Sequence, residues 1–198
     1  TFTATVGKKS VTIDTRKMQI EGMHNIYNAM SAALATLAAG VDPRSIKRSI
    51  YDFSPVEHRL EPAGKRDDIE WVNDSKATNV DSVWYALESM KRPTVWIAGG
   101  TDKGNDYTPL KEFARRKVRA LICMGVDNSK LTRDFAGIVP IIRDCHTFEE
   151  AMVAAREVAQ EGDTVLLSPA CASFDLFRNY EERGRMFKEW VKQNVINE

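Results

Sequence analysis

The run Trp71-Val72-Asn73-Asp74-Ser75-Lys76-Ala77-Thr78-Asn79 changes from apolar to polar at Asn73. It opens as a buried strand does and continues with residues that are small or polar apart from Lys76. Residues 80–90 then carry apolar side chains at helical spacing. A strand that ends in a polar, hydroxyl-rich loop before a helix is where open α/β sheets bind ligands. An ordinary turn capped by Asn79 has the same composition, so this run alone leaves both interpretations open.

Strands and helices alternate along the rest of the chain after residue 55. Helices of about ten residues or more separate most of the strands, which predicts right-handed crossovers and a mostly parallel sheet. The first two strands are too close for a crossover and should form a hairpin on that sheet. The fold class we expect is α/β, a Rossmann-like, mostly parallel sheet with flanking helices. The predicted strands are residues 60–65, 69–73, 94–98, 120–124, 139–142 and 164–167, and the predicted helices are residues 80–90, 108–117, 129–135, 147–160 and 177–194.

The residues before this region form a separate piece. Residues 1–20 alternate between apolar and polar and predict a hairpin. An Ala-rich helix within residues 21–39 follows, and Asp42-Pro43 opens a shorter one, since a cap followed by proline is a helix start. A lone hairpin would leave an unpaired edge, so we interpret residues 1–54 as the tail of a longer domain. Pro55 interrupts both periodicities and marks the boundary.

The composition restricts the classes of protein and partner. At 198 residues the chain fits one large domain, or one domain and part of another. Lysine plus arginine and aspartate plus glutamate each number 28, so no net charge favours nucleic acid or an anionic membrane. No apolar run approaches the ~18 residues of a membrane span, and no signal peptide opens the chain. The three cysteines form no C-x-x-C pair, which argues against a disulfide framework or a zinc site and predicts a cytoplasmic protein.

Two further loops have the character of a ligand site. Residues 98–104 follow a predicted strand with three glycines and Lys103, although a simple glycine turn is the commoner meaning and neither dinucleotide nor P-loop spacing is present. Residues 167–175 are small enough for close approach, and Ser173 could open a helix whose first N–H groups bind a carboxylate. Cys171 lacks a histidine nearby and is expected to be inert.

The three loops and the run at residues 57–61 offer cations and hydroxyls but no obvious catalytic base. This set suits an anionic small molecule and a phosphate better than an apolar ligand. The histidines lack metal-ligand spacing, and G-x-S-x-G is absent, so neither a metal centre nor a serine hydrolase is indicated. The cations are Arg59, Lys76 and Lys103, and the hydroxyls are Thr78 and Ser173.

Five motifs resemble those of the Mur ligase family in their order, and the resemblance covers nearly the whole chain. The third and fifth motifs are most similar to the Mur ligases that add D-glutamate. Two other hypotheses remain: another amide ligase of the superfamily, such as a folylpolyglutamate synthase, and a non-catalytic module that binds a nucleotide or an amino acid. The motifs are residues 22–28 (GMHNIYN), 57–61 (EHRLE), 73–79 (NDSKATN), 99–104 (GGTDKG) and 167–174 (LSPACASF).

The resemblance implies an ATP-dependent ligase of peptidoglycan precursor synthesis in the bacterial cytoplasm. Its substrates would be ATP, UDP-N-acetylmuramoyl-L-alanine and D-glutamate, with Mg²⁺ as the metal. ATP would phosphorylate the alanyl carboxylate, and the amine of D-glutamate would displace phosphate from the acyl phosphate. Catalysis of this kind depends mainly on positioning and charge neutralisation. The resemblance also implies a monomer with no nucleic-acid or membrane partner.

The same resemblance implies roles for individual residues, none of them catalytic. Asn25 and Asn28 would contact the adenine side of ATP, although asparagines at a helix start are usually caps. Arg59 and Asp74 would reach ATP from the C-terminal domain, although a solvated charged turn is the default interpretation of the run around Arg59. Tyr180 stands where an aromatic residue, often phenylalanine, would close the amino-acid pocket. D-Glutamate would be held by Lys76, Thr78, Lys103, Ser173 and Phe174, with Lys76 and Lys103 positioning it.

The resemblance also predicts how the chain is divided. Residues 1–54 would be the end of the central ATP-binding domain, and residues 55–198 the C-terminal, amino-acid-binding domain. The family's P-loop and its Mg²⁺ ligands would lie upstream of Thr1, so no metal ligand is expected in this chain. We therefore expect the chain alone to be inactive.

Overall fold

The computed structural model describes residues 1–20, 22–54 and 56–197, and only the backbone of His24. The chain divides into two compact units, Thr1–Pro55 and Val56–Glu198. The first unit has one buried apolar cluster and the second has two, so each unit is described by itself.

The first unit is a hairpin with two helices. Strands β1 (Phe2–Val6) and β2 (Lys9–Ile13) pair in antiparallel fashion, as their alternation predicts. Helix α1 spans Met23–Ala38, and α2 spans Pro43–Asp52. The Asp42 side chain accepts hydrogen bonds from the first free N–H groups of α2, which confirms the predicted cap. The inward-facing residues of the hairpin and helices form one cluster that includes Ala4, Val11, Ile13, Ala33, Leu37 and Ile46.

The second unit is built on a sheet of six strands within residues 56–197, in the order β3-β4-β8-β5-β6-β7. Only β3 and β4 pair in antiparallel fashion, as the hairpin predicted, and the other neighbours are parallel. The α/β class and the mostly parallel sheet are thus confirmed. The strands are β3 (Glu61–Arg66), β4 (Ile69–Asn73), β5 (Thr94–Gly99), β6 (Val118–Met124), β7 (Ile141–Cys145) and β8 (Thr164–Ala170). The helices are α3 (Val80–Ser89), α4 (Lys111–Lys117), α5 (Ser129–Phe135), α6 (Phe148–Val158) and α7 (Tyr180–Val191).

Helices cover both faces of this sheet. Buried residues of α3, α4 and α5 cluster with side chains such as Trp96 and Leu121 on one face of the strands. Buried residues of α6 and α7 cluster with Trp71, Val95 and Ile97 on the other. The central strands are therefore apolar on both faces, as expected for parallel strands between two helical layers.

Most elements differ from their predicted bounds by one to three residues. The segment predicted as a helix over residues 108–117 begins as a 3₁₀ turn, Thr108–Leu110, and the α-helix follows from Lys111. The predicted strand 139–142 lies at Ile141–Cys145, where an edge strand tolerates the polar side chains of its second half. Helix α7 begins at Tyr180, because the side chain of Asn179 accepts a hydrogen bond from the Glu182 N–H and so caps it.

One glycine allows two strand ends to come into contact. Gly100 follows β5 with φ +125°, and a Cβ atom there would collide with the carbonyl oxygen of Ala172. The next residue, Thr101, donates its N–H to that same oxygen at 2.9 Å. The loops that follow β5 and β8 are therefore joined backbone to backbone, which places their side chains side by side.

The packing of α7 predicts a measurable loss of stability. A Cβ atom at Gly184 would collide with the imidazole of His58, which is buried and hydrogen bonded to Asn73 and so cannot turn away. We expect Gly184→Ala to lower the free energy of unfolding by about 1–3 kcal/mol, despite the better helix propensity of alanine. Urea denaturation of the 198-residue chain measures this. Glu189→Ala, on an exposed position of the same helix, is the control, and equal stabilities of the two variants would contradict the packing.

Candidate functional site

The strand order brings three loops together at the carboxyl edge of the sheet. Strand β8 lies between β4 and β5 and is parallel to both, so the loops that follow these strands are neighbours. Strands β4 and β5 lead to α3 and α4 on one face, whereas β8 leads to α7 on the other. Such a change of direction opens a crevice at the carboxyl ends of the strands, which is the usual ligand position in open α/β sheets.

The loop after β4 carries one cation, which is held by Tyr180. The Nζ atom of Lys76 donates a hydrogen bond to the hydroxyl of Tyr180 at 2.9 Å and lies 4.8 Å from the centroid of its ring. The backbone N–H of Lys76 donates to the carbonyl of His58 at 3.0 Å. Asn79 accepts a hydrogen bond from Ser82 and caps α3. The predicted helix cap at Asn79 is therefore present. It is compatible with a polar loop at the carboxyl edge of the sheet, because the same segment contains both.

The loop after β5 presents a second cation on a hydrogen-bonded turn. Asp102 accepts hydrogen bonds from the N–H groups of Gly104 and Asn105 and, at 2.8 Å, from the hydroxyl of Tyr107. Burial raises the pKa of Asp102, but these hydrogen bonds and the charge of Lys130 outweigh it and hold the pKa below its usual value. Lys103 is exposed on this turn and makes no hydrogen bond or ion pair with any residue that the structure describes.

The loop after β8 differs from its predicted form. The carbonyl of Ser173 accepts a hydrogen bond from Phe177 N–H, which closes a single turn, and α7 begins only at Tyr180. The expectation that Ser173 opens a helix is therefore wrong, and no helix N-terminus is available there for a carboxylate. Ser173 itself is buried, whereas Phe174 is 71% exposed.

Cys171 has the environment of an inert thiol. It is buried, and its sulfur lies 3.2 Å from the hydroxyl of Tyr107. Burial raises the pKa of Cys171 above its ordinary value, so the thiol stays protonated near neutral pH. The prediction that this residue packs rather than reacts agrees with this arrangement.

A tight turn beside the crevice carries Arg59. His58 and Leu60, on either side of it, have φ values of 64° and 44°, which are unusual for residues other than glycine. The turn is fixed because Asp74 accepts a hydrogen bond from Leu60 N–H at 3.2 Å and His58 is only 3% exposed. Nδ1 of His58 accepts a hydrogen bond from the Asn73 amide at 2.9 Å, and burial lowers the pKa of this histidine. His58 is therefore a neutral structural residue of the turn.

Asp74 is buried beneath this turn rather than open to solvent. Its second carboxyl oxygen accepts a hydrogen bond from the Ser168 hydroxyl at 2.7 Å, so both oxygens are bonded within the unit. Burial raises the pKa of Asp74 to about 7, against the lowering effect of these hydrogen bonds and of Arg59. Asp74 connects the Arg59 turn to β8, and its contact with a nucleotide stays a prediction.

Three acceptor groups near this turn have spacing that would suit a cation. Atoms of Glu57, His58 and Glu61 lie within 4.8 Å of one another. Lys188 already donates to Glu57 at 2.7 Å and to Glu61 at 3.0 Å, which places a positive charge where a metal would bind. The cluster therefore does not fit the Mg²⁺ that the resemblance implies and is an ion-pair network.

The first unit holds the two asparagines. Helix α1 starts after Gly22, so Asn25 and Asn28 lie inside the helix and are not its cap. Both line a mostly apolar cavity of about 310 Å³ between α1 and α2. Its apolar lining includes Met18, Ile20, Ile46, Ile50 and Phe53. An apolar cavity with a few amide groups is a suitable environment for a flat heterocycle.

Sequence reasoning missed two buried residues beneath the loops. Ser75 and Arg183 are each 0% exposed and are hydrogen bonded to each other. A signal for Arg183 was present, because Arg183 falls on the apolar stripe of α7 with Phe187 and Trp190. A charged residue at such a position is rare unless it is hydrogen bonded. No signal singled out Ser75, since a serine in a polar loop is ordinary.

The arrangement defines an α/β domain whose polar loops meet at the carboxyl edge of a mostly parallel sheet, and comparison with known proteins places it in a family. A family model described as "Mur ligase, glutamate ligase domain" matches residues 58–171. The chain therefore belongs to the Mur ligase family, which confirms the resemblance inferred from the five motifs. Among the described residues, no helix is long and apolar enough to cross a membrane.

The similar proteins are longer than this chain. A relative from Cytophaga hutchinsonii is 49% identical over 181 residues, covering 91% of this chain and 40% of the relative. One from Christiangramia forsetii is 46% identical over 188 residues, covering 95% and 42%. Both are named UDP-N-acetylmuramoylalanine--D-glutamate ligase. The chain thus spans about 40% of the length of these relatives.

Solved structures confirm the fold. A pseudomurein peptide ligase type C from Methanothermus fervidus matches with a TM-score of 0.61 and 21% identity, covering 93% of this chain and 38% of that one. Folylpolyglutamate synthase from Mycobacterium tuberculosis, complexed with ADP, matches with a TM-score of 0.62 and 12% identity, covering 86% and 41%. At such identities the likeness concerns the fold alone.

The burial of Asp74 predicts that stability depends on pH. The folded-state pKa of about 7 lies above the ordinary value of 3.8, so the folded chain holds this proton more tightly than the unfolded chain. This contribution to stability is complete below pH ~4 and is lost as the pH rises through ~7. Relative to Asp74→Asn, we expect the wild-type free energy of unfolding to fall by about 1.4 kcal/mol per pH unit in that window and to stay level above it.

Urea titrations at several pH values measure this difference. Asp67→Asn is the matched control, since the Asp67 side chain is 84% exposed. Its stability relative to wild type should show no such slope. A wild-type to Asp74→Asn difference that is constant across the window would mean that Asp74 is ionised throughout.

Proposed function

We propose that this chain is the C-terminal part of an ATP-dependent ligase that adds D-glutamate to UDP-N-acetylmuramoyl-L-alanine in peptidoglycan precursor synthesis. The observation that supports the proposal is the meeting of three loops at one edge of the sheet, and these loops carry Lys76, Lys103 and Ser173. The names of the relatives support the choice of D-glutamate as the acceptor.

The proposed chemistry is an amide-bond formation that needs an activated carboxylate. ATP supplies the phosphoryl group that gives the alanyl carboxylate a good leaving group, and the amine of D-glutamate displaces phosphate. The residues of this chain act by holding D-glutamate in line and by neutralising charge, since oriented reactants and fixed charges lower the barrier of such a reaction.

In this proposal D-glutamate occupies the crevice between the loops. Lys76 is oriented by Tyr180, and the exposed Lys103 has no partner among the described residues, so both ammonium groups are available to the two carboxylates. Thr78, on the loop after β4, donates a hydrogen bond. Ser173 is only 2% exposed, so its hydroxyl donates once the loop after β8 shifts to admit the ligand. Phe174, which is exposed at the rim, covers the carbon chain of the amino acid.

Nucleotide contacts are proposed for each unit separately. Asn25 and Asn28 receive the adenine in the apolar cavity of the first unit. In the second unit, Arg59 binds a phosphate of ATP. Asp74 fixes the turn that carries Arg59, so its role toward ATP is indirect in this proposal. A bidentate arginine is well suited to phosphate. The ligands of Mg²⁺ are placed in other parts of the enzyme, as the family resemblance implies.

The proposal also covers the organisation of the protein. Residues 1–54 are the end of the central ATP-binding domain, and residues 55–198 form the amino-acid-binding domain. We expect a monomeric, cytoplasmic enzyme without nucleic-acid or membrane partners. The 198-residue chain alone should not catalyse ligation, and ligation by the purified chain would contradict this organisation.

The acceptor amino acid tests the proposed function. A ligase of full family length that carries this chain should release phosphate from ATP, with Mg²⁺ and UDP-N-acetylmuramoyl-L-alanine, when D-glutamate is added. L-Glutamate, L-lysine and diaminopimelate are the control acceptors and should give no turnover. Turnover with another acceptor would agree with the family but would rule out D-glutamate as the acceptor. No turnover with any acceptor, from folded enzyme, would favour a non-catalytic binding module.

The role of Lys103 gives a second expected outcome. In the same enzyme, Lys103→Ala should lower kcat/KM for D-glutamate by about tenfold or more, because a desolvated carboxylate would lose its charged partner. Lys192→Ala, at an exposed position beyond the C-terminal end of α7, is the matched control and should leave the value unchanged. Unchanged kinetics in Lys103→Ala would remove this residue from the site.

A further inference from the structure

Arg183 is a fully buried cation that bonds to two of the three loops at once. Its Nε donates to the Ser75 hydroxyl at 2.9 Å and its Nη2 to the Ser75 carbonyl at 2.9 Å. Nη1 and Nη2 both donate to the Cys171 carbonyl at 3.4 Å. The side chain is 0% exposed, so it cannot touch a ligand in the crevice directly.

The two acceptor residues lie just before the proposed ligand-binding residues. Ser75 precedes Lys76 on the loop after β4, and Cys171 lies two residues before Ser173 on the loop after β8. The planar guanidinium fixes the distance between these loops, because its N–H groups point in set directions. A substitution of Arg183 should therefore displace the side chains that are proposed to hold D-glutamate.

Ser75 extends this connection to the start of α7. Its hydroxyl accepts from Arg183 and donates to the carbonyl of Tyr180 at 2.7 Å. Tyr180 in turn accepts the hydrogen bond from Lys76 Nζ. Tyr180, through its carbonyl on one side and its hydroxyl on the other, thus connects Ser75 and Arg183 to the ammonium group that is proposed to bind substrate.

The charge of Arg183 has no partner of opposite sign at contact distance. No carboxylate lies within ion-pairing distance of it in residues 1–20, 22–54 and 56–197. Burial lowers the pKa of Arg183 to about 10, against the raising effects of Cys171 and Asp175. A buried charge without a carboxylate at contact distance is costly, and a dicarboxylate bound nearby would compensate part of that cost.

We propose that Arg183 is a positioning residue for the acceptor amino acid, which sets the spacing of the loops after β4 and β8 and places a positive charge beneath the crevice. This inference rests on the proposed function. It explains why a charged residue occupies the apolar stripe of α7, where Phe187 and Trp190 already anchor the helix.

The test compares variants of the full-length ligase by phosphate release. Arg183→Met keeps the approximate volume of the side chain and removes both the planar guanidinium and its charge. We expect it to raise KM for D-glutamate at least tenfold while KM for ATP changes less than twofold. Arg183→Lys keeps the positive charge without the planar guanidinium, and its KM for D-glutamate should lie between those of wild type and Arg183→Met. Arg185→Met is the matched control, since Arg185 is exposed two residues along the same helix, and it should behave as wild type.

The split between the two KM values separates positioning from a general loss of structure. Thermal unfolding of each variant identifies any that does not fold. If Arg183→Met does not fold, Ser75→Ala takes its place, because it removes one hydrogen-bond acceptor of Arg183 and leaves Arg183 itself in position. Ser75→Ala should raise KM for D-glutamate but not KM for ATP.

Three outcomes would overturn the inference. Equal changes in KM for D-glutamate and KM for ATP would show that Arg183 has a structural role only. An unchanged KM for D-glutamate in folded Arg183→Met, or in Ser75→Ala if that variant is used instead, would show that Arg183 has no role in positioning. Wild-type enzyme without D-glutamate-dependent phosphate release would overturn the proposed function and this inference together. The first two leave the proposed function intact, so the failures are distinguishable.

Discussion

The position of β8 between β4 and β5 is the constraint on which the rest of this domain depends. Because the three strands are parallel neighbours, their carboxyl ends meet, and the loops that carry most of the polar residues become one surface. Helix α7 must then cross to the opposite face from α3 and α4, which opens the crevice between the loops. Gly100 permits the final close contact by leaving room for the Ala172 carbonyl.

Helix α7 acts on this crevice from below. Its first turns contact the loop after β4 and the Arg59 turn, since Tyr180 bonds to Lys76, Arg183 bonds to Ser75, and Gly184 leaves room for His58. The second half of the helix is anchored by its apolar residues. The buried polar groups of this region are costly unless every hydrogen bond is made, which favours one arrangement of the loops over others.

The sequence predicted the fold well because its signals were local or followed general rules of parallel sheets. Period-two and helical spacing located the strands and helices, and the polar run after Trp71 correctly indicated a loop at the carboxyl edge. The helix expected at Ser173 was wrong, because Asn179 provides the better cap six residues later. The partners of Arg183 and the burial of Asp74 were not predictable, since they depend on contacts between residues about 100 positions apart.

The central claim is that the loops after β4, β5 and β8 form one binding site for D-glutamate. A crystal structure of the full-length ligase with D-glutamate tests it most directly. We expect the amino acid in the crevice, with its carboxylates about 2.7–3.2 Å from the ammonium nitrogens of Lys76 and Lys103. D-Glutamate bound away from these loops, with both ammonium groups facing solvent, would contradict the account.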